Sequence, residues 1–315
     1  MSDLLKSIDA RTKLAGTNKL EILLFTLGLD QRTNRRENFG INVFKVREVM
    51  RTPEITRAPD MPPAVEGMVS LRGHLVPVVD LAKYSGVKTD VKPEIMIVTE
   101  YNGHTQGFLV EGVDTILRLD WASMRVPPEM IMKEMGGLVT AVTEVNDKLV
   151  MMMDVEKVLA ETSPRFEDEI QFNALKPAGV RGKTIFFADD SLIARKQISR
   201  TLDAMGINHH HAINGRRAWE ELQKLATQAE AHGEPLSSRL DLILTDIEMP
   251  EMDGYMLTKM VKTDARFSGI PILMHSSLSG SSNQKLGQSV GVDGYVTKFE
   301  PQKLSEAISK MLIKE

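Results

Sequence analysis

The stretch "LILTDIEMPEMDG", Leu242 to Gly254, runs three apolar residues and a threonine into a single acid, Asp246. Met249, Pro250 and Gly254 then follow at fixed distances. A short apolar run bounded by turn residues reads as a strand of a parallel sheet, buried on both faces. An aspartate after such a strand, taken alone, most often caps the next helix. What Asp246 does therefore depends on the company it keeps.

That company is set by a regular alternation from Thr184 onward. "TIFFAD" precedes "SLIARKQISRTLDAMG", "HHHAI" precedes "NGRRAWEELQKLATQAEA", and "DLILTD" precedes "GYMLTKMVKTD". "IPILMHS" is followed by "SGSSNQKLGQSVG", and "GYVTK" by "PQKLSEAISKMLIKE". Five such alternations predict an α/β doubly wound five-stranded parallel sheet with helices on both faces. Its chemistry belongs at the C-terminal ends of the strands. Strand one ends on Asp189 and Asp190, strand three on Asp246, strand four on Ser276 and Ser277, and strand five on Lys298.

If strands one, three and four are neighbours, three carboxylates converge beside a hydroxyl and an ammonium. Clustered carboxylate oxygens suit Mg²⁺, and an aspartate can attack phosphorus to give an acyl phosphate. Lysine can pair with phosphoryl oxygens and serine can hydrogen-bond one of them. Each residue has an ordinary alternative: Asp189 and Asp190 as caps of the helix at Ser191, Lys298 as a solvated end, the serines as turn material. The joint placement at three strand ends outweighs those readings.

The first half is written in a different period. From Leu20 to about Leu159, short strand-like runs such as "EILLFTLGL", "FGINVFKVREVM", "GHLVPVVDL" and "KLVMMM" lie between turn signals. Asn102-Gly103 is a hairpin signal, and the whole predicts all-β small barrels or a sandwich. The polar stretch 163–182 predicts a short helical piece and a linker, giving an N-terminal segment 1–19 and domains at 20–162 and 183–315.

Composition narrows the function classes. The 315 residues include no cysteine, which removes disulfides, thiolate nucleophiles and Cys-ligated zinc together. The formal net charge of −4 argues against a general nucleic-acid or membrane-surface binder. No apolar run approaches the roughly 20 residues that span a bilayer, so no direct membrane insertion and a cytoplasmic address are expected. The 19 methionines, including Met151 to Met153, read as core. His209 and His211 would share one face of a strand, a weak metal signal whose plainer reading is a polar strand end. Trp219, at helical spacing from Leu222 and Leu225, reads as packing, and "TQAEAHGEPLSSRL" as a surface extension.

"FFADDS", "LILTDIEMPEMDGYML", "PILMHSS" and "GYVTK" resemble the signatures of response-regulator receiver domains of the CheY kind, over about Lys183 to the C-terminus. The resemblance implies a flavodoxin-like fold, Asp246 as phosphoacceptor and Asp190 as a direct Mg²⁺ ligand. It implies that Asp189 helps through a water and Glu248 through its backbone carbonyl. Ser276 matches the switching hydroxyl, Tyr295 the switching aromatic and Lys298 the phosphate-contacting lysine. One departure stands out: the family usually has proline directly after the lysine, whereas Phe299 and Glu300 stand here and Pro301 comes two residues late. That departure bears on the turn geometry and on the lifetime of a phosphorylated state.

"FGINVFKVREVMRTPEITRAPDMPPAVEGMVSLRGHLVPVVDLAKYSG" resembles CheW-like coupling domains, with "SLRGHLVPVVDL" its most telling piece. Those are paired small β-barrels that hold chemoreceptors and the CheA histidine kinase together. By that resemblance Val46, Glu48 and Arg72 face the receptor tip; without it, Arg72 is a turn arginine and Val46 a core valine. A CheW-like domain followed by a receiver is the arrangement of CheV-type chemotaxis coupling proteins. The expected function is an adaptor between chemoreceptors and CheA, not an enzyme, regulated by phosphorylation of Asp246 and associated with receptor arrays. No DNA-binding output is expected after Lys298, so the output would lie in the first half. The alternatives are a phosphate sink for CheA, or a Mg²⁺-dependent aspartyl-phosphate hydrolase with Glu248 as its second acid.

Overall fold

The computed structural model describes residues 19–57, 59–101, 104–162, 179–277 and 287–313. The chain divides into two units, one chiefly of Leu20–Leu119 and Ser123–Pro164, the other chiefly of Arg165–Glu315. None of the described helices is long and apolar enough to cross a membrane. The expected helical piece in 163–182 lies almost wholly outside the described residues, as do the turn residues 102 and 103.

Among the described residues, the first unit contains ten strands: β1 Lys19–Thr26, β2 Asn38–Asn42, β3 Val46–Arg51, β4 Val65–Leu71, β5 His74–Asp80, β6 Ile95–Tyr101, β7 His104–Val110, β8 Gly112–Asp120, β9 Val139–Val145 and β10 Lys148–Met153. They form two five-stranded sheets, in the orders β8-β1-β2-β10-β9 and β3-β6-β7-β5-β4. Each sheet rolls up until its edges meet. Arg125, just past edge strand β8, bridges Val142 on the opposite edge, and Thr56, past edge strand β3, bridges Met68 on β4. Closure satisfies backbone groups that an open edge would leave exposed, and yields the two small barrels expected.

Alternation along β5 shows how the sequence fills these barrels: Val76 and Val78 are buried against Val69, Met96, Val98 and Leu109. The helix Val155–Thr162 follows β10 and stitches the barrels together. Its Glu156, 2% exposed, pairs with Lys45 at 2.8 Å in the turn leading into β3. Thr162 accepts from Gln106 of β7 at 3.0 Å. A buried ion pair is costly unless both partners stay, so these contacts fix register more than they add stability. The methionines behave as core where the strands enter it: Met152 and Met153 are buried, while Met151 is half-buried.

In the second unit β11 Thr184–Ala188, β12 Asn208–Ala212, β13 Leu242–Thr245, β14 Ile272–Ser276 and β15 Gly294–Thr297 form one sheet in the order β12-β11-β13-β14-β15. All four pairings are parallel. Alternate residues feed opposite faces. Ile185, Phe187, Leu242 and Leu244 join helices Leu192–Ala204 and Pro301–Leu312, while Phe186, Ala188 and Ile243 join helices Gly215–Ala231 and Gly254–Thr263. Burying each of the two phenylalanines is worth about 2–3 kcal/mol. The "TQAEAHGEPLSSRL" stretch is more than a surface extension. It completes the helix to Ala231, and Ala229, Leu236 and Leu240 are buried in the core on that face.

Candidate functional site

Strand order brings the acids together. β13 lies between β11 and β14, with Ala188 opposite Thr245, and the Asp246 amide donates to the Ala188 carbonyl at 2.8 Å. Asp189 and Asp246 therefore leave the sheet side by side. One carboxylate oxygen from each of Asp189, Asp190 and Asp246 lies within 4.8 Å of the others. From the end of β15, Lys298 reaches Asp189 Oδ2 and Asp246 Oδ2, each at 2.9 Å. Lys298, Asp189 and Asp246 are almost wholly buried, so their attraction is little screened by solvent.

The structure also disposes of capping as the role of these acids. Ser191 caps helix Leu192–Ala204 through the Ala194 amide, while Asp189 Oδ1 accepts from the Ser191 amide at 2.9 Å. Helix Gly254–Thr263 is capped by Asp253, seven residues beyond Asp246. Asp246 Oδ1 is oriented by the Ile247 amide at 2.7 Å, which leaves its Oδ2 facing Lys298 and the other acids. Three carboxylates against one ammonium leave a formal excess of negative charge in a low-dielectric cleft. The donors are all hard oxygens, a set that fits Mg²⁺ and not a softer metal.

Ser276 at the end of β14 is fully buried and its side chain hydrogen-bonds that of Tyr295 on β15. Burial pushes the Tyr295 phenol well above its ordinary range, opposed by that bond and reinforced by the Asp246 and Glu248 charges. Glu248 is buried, but its carboxylate is not one of the three clustered acids. Tyr255, buried beside Ile247 and Met274 with Tyr295 packed against them, has its phenol raised by burial first and by Tyr295 next.

Three residues the sequence left without a role prove necessary to the geometry, two of them glycines. A Cβ on Gly254 would lie 1.9 Å from the carbonyl oxygen of Asp246, so only glycine lets the helix start there. A Cβ on Gly215 would lie 2.3 Å from the Met252 carbonyl, so the loop from Asp246 to Asp253 is held closely on both sides. Gly254 stands in the opening stretch, but only the packed loop explains it.

Asp253 is the other residue. Burial raises its carboxyl from 3.8 to about 6, although the Met256 and Tyr255 amides favour the charge. The folded state thus holds a proton that the unfolded state releases between these values. Stability falls as pH rises through that window, and the penalty is complete above it, at most about 3 kcal/mol. Asp253→Asn keeps a capping oxygen and removes the charge. It is expected to flatten the pH 4–6 slope of receiver unfolding in urea and to raise the midpoint at pH 7. An unaltered slope would contradict the assignment.

His209 pairs with Asp203 at 3.1 Å, and the rings of His209 and His211 lie 5.8 and 5.2 Å from Phe187. Neither histidine joins a metal-holding group among the described residues. Trp219 packs on Phe267, ring centroids 5.8 Å apart. After Lys298, Phe299 adopts φ of 61°, a left-handed turn that proline could not make.

In the first unit, Arg72 and Gly73 form the two-residue turn between β4 and β5, with φ of 51° and 83°. Positive φ at both positions is the turn type that matches strand twist, but arginine is an unusual residue to take it. The turn projects Arg72, 69% exposed, to Glu48 Oε2 at 3.0 Å. Val46 is not brought to this surface. It is 6% exposed, in keeping with a core valine.

The family model for the CheW-like domain matches residues 21–163, and that for the response regulator receiver domain matches residues 185–309. The chain is 30% identical over 306 residues to chemotaxis protein CheV3 of Helicobacter pylori, covering 94% of this chain and 96% of that protein. It is 29% identical over 337 residues to CheV1 of the same organism, covering 99% of each. Its first half is similar to chemotaxis protein CheW of Klebsiella aerogenes, at 30% identity over 163 residues, 50% of this chain and 93% of that protein.

Proposed function

The chain belongs to the CheV-type chemotaxis proteins, adaptors in which a CheW-like domain is joined to a regulatory receiver, and on that premise we propose that it couples chemoreceptors to the CheA histidine kinase under control of phosphorylation at Asp246. The observation that supports Asp246 most is Lys298 Nζ held 2.9 Å from both Asp246 and Asp189, at the ends of three different strands. In this reading a carboxylate oxygen of Asp246 attacks the phosphorus of a phosphohistidine. The P–N bond breaks, the imidazole keeps the electron pair and takes up a proton, and a mixed anhydride forms on Asp246.

Asp189, Asp190, Asp246 and the Glu248 carbonyl would hold Mg²⁺, which when bound supplies positive charge to the phosphoryl oxygens. Lys298 adds a second cation, already held inside the cleft. In this reading Ser276 would donate to a phosphoryl oxygen, and its side-chain bond with Tyr295 links that change to the ring. The deciding experiment is phosphotransfer from labelled CheA to wild type and Asp246→Asn.

Glu48 and Arg72 are the receptor-facing pair in this proposal, and Val46 supports them from the core. The exposed Arg72 guanidinium at the tip of the turn between β4 and β5, beside Glu48, supports this role, since the left-handed backbone there would be more easily taken by asparagine or glycine. Arg72→Ala is expected to weaken recruitment to receptor arrays about tenfold, as loss of one interfacial arginine does, and to leave phosphotransfer intact. Unchanged recruitment in a pull-down with receptor signalling domains would refute the mapping.

A further inference from the structure

Lys298 hangs from a turn whose chemistry is not that of an ordinary helix start. Glu300 opens helix Pro301–Leu312, yet its carboxylate makes no hydrogen bond to the first amides of that helix. An acid at this position normally gains by accepting from them. Instead Glu300 Oε1 accepts the Thr297 hydroxyl at 2.5 Å, and Oε2 lies 2.6 Å from Lys303 Nζ. Between the two ends of this brace stand Lys298 and the left-handed Phe299. Thr297 is itself fixed, paired opposite Ser276, and the Lys298 amide donates to the Ser276 carbonyl at 3.1 Å.

We propose that Glu300 is a positioning residue: by holding Thr297 across the turn, it fixes the backbone from which Lys298 reaches into the acidic cleft. This rests on Asp246 as phosphoacceptor and says how its cationic partner is preorganised. A charge-assisted bond to a hydroxyl is strong enough to hold a turn that its own φ angles disfavour.

The geometry gives the brace a signature. Lys298 sits on Asp189 Oδ2 and Asp246 Oδ2, and so pairs with two of the three carboxylates that would also hold a cation. Loosening the turn should therefore ease metal binding while it slows phosphoryl transfer. General damage to the cleft would weaken both.

The test uses the full chain with acetyl phosphate as donor, acetate leaving as the phosphoryl group passes to Asp246. Acyl phosphate is followed by intact mass, and Mg²⁺ affinity by calorimetry without donor. Glu300→Ala is expected to slow phosphorylation about tenfold, the cost of modest misplacement, with Mg²⁺ bound equally well or tighter. Glu300→Gln keeps an acceptor for Thr297 and should restore the rate. A wild-type rate in Glu300→Ala, a joint loss of rate and Mg²⁺ affinity, or no rescue by glutamine would each overturn the inference alone. Equal labelling of Asp246→Asn and wild type would overturn the phosphoacceptor reading and the inference with it.

Discussion

Asp246→Asn is expected to reduce phosphoryl uptake from labelled CheA by on the order of 10³-fold or more, since an amide is no nucleophile for phosphorus. The substitution is nearly isosteric. Its remaining carbonyl oxygen can still accept from the Ile247 amide, 2.7 Å away in the native protein, so the loop should keep its path. The ion pair with Lys298 is lost, but Asp189 stays 2.9 Å from the ammonium and prevents an unpaired buried charge. Far-UV circular dichroism and the unfolding midpoint should thus change little while labelling disappears. Labelling equal to wild type would place the phosphoacceptor elsewhere.

Gly254→Ala should act on the same carboxylate from behind. The new methyl group would sit 1.9 Å from the Asp246 carbonyl oxygen, a backbone atom that has no rotamer to escape into. Either helix Gly254–Thr263 backs away, losing the Gly254 amide bond to the Ile247 carbonyl at 2.9 Å, or Asp246 moves. The stability cost is expected at about 3 kcal/mol, the upper end for overpacking, measured by urea denaturation of the receiver transition. A shift of Asp246 by about 1 Å would also slow phosphotransfer by roughly 10²-fold. Alanine at wild-type stability and wild-type rate would mean that the loop is far softer than its packing implies.

Much of this site was legible in the chain. Apolar runs ending on Asp189, Asp246 and Lys298 named the strands and the cleft residues at once, because a strand buried on both faces must show its polar chemistry at its ends. The caps were not legible in the same way. Asp189, Asp190, Ser191, Asp246 and Asp253 are all chemically fit to cap a helix. Ser191 and Asp253 do so because their backbones take extended angles just before the helix begins, with φ and ψ of −76° and 123° at Ser191 and −74° and 164° at Asp253. Side-chain chemistry alone cannot rank five candidates that differ only in where the chain turns.

Val46 and Glu300 show the same limit. Val46 sits two residues from Glu48 in sequence and would share its face in a regular strand, but the register shifts between them at a bulge, and Val46 is buried. Glu300 has no role that local sequence reveals, because its bond to Thr297 depends on how the chain turns at Phe299.

By itself, then, the sequence determined the two-part organisation, the alternating second half, the acids at the strand ends and the residues able to accept a phosphoryl group, all of which follow from local periodicity and residue chemistry. Tertiary structure alone decided the order β12-β11-β13-β14-β15 that makes Asp189 and Asp246 neighbours, the contact of Lys298 with both, the glycine at 254 and the pairing of Arg72 with Glu48 across a closed barrel. Apart from Gly254 and the Asp246 carbonyl, these are contacts between residues tens of positions apart. Apart from the exposed Arg72 pair, they gain from burial and from ion pairing that solvent screens little, and neither exists until the sheet has closed around them.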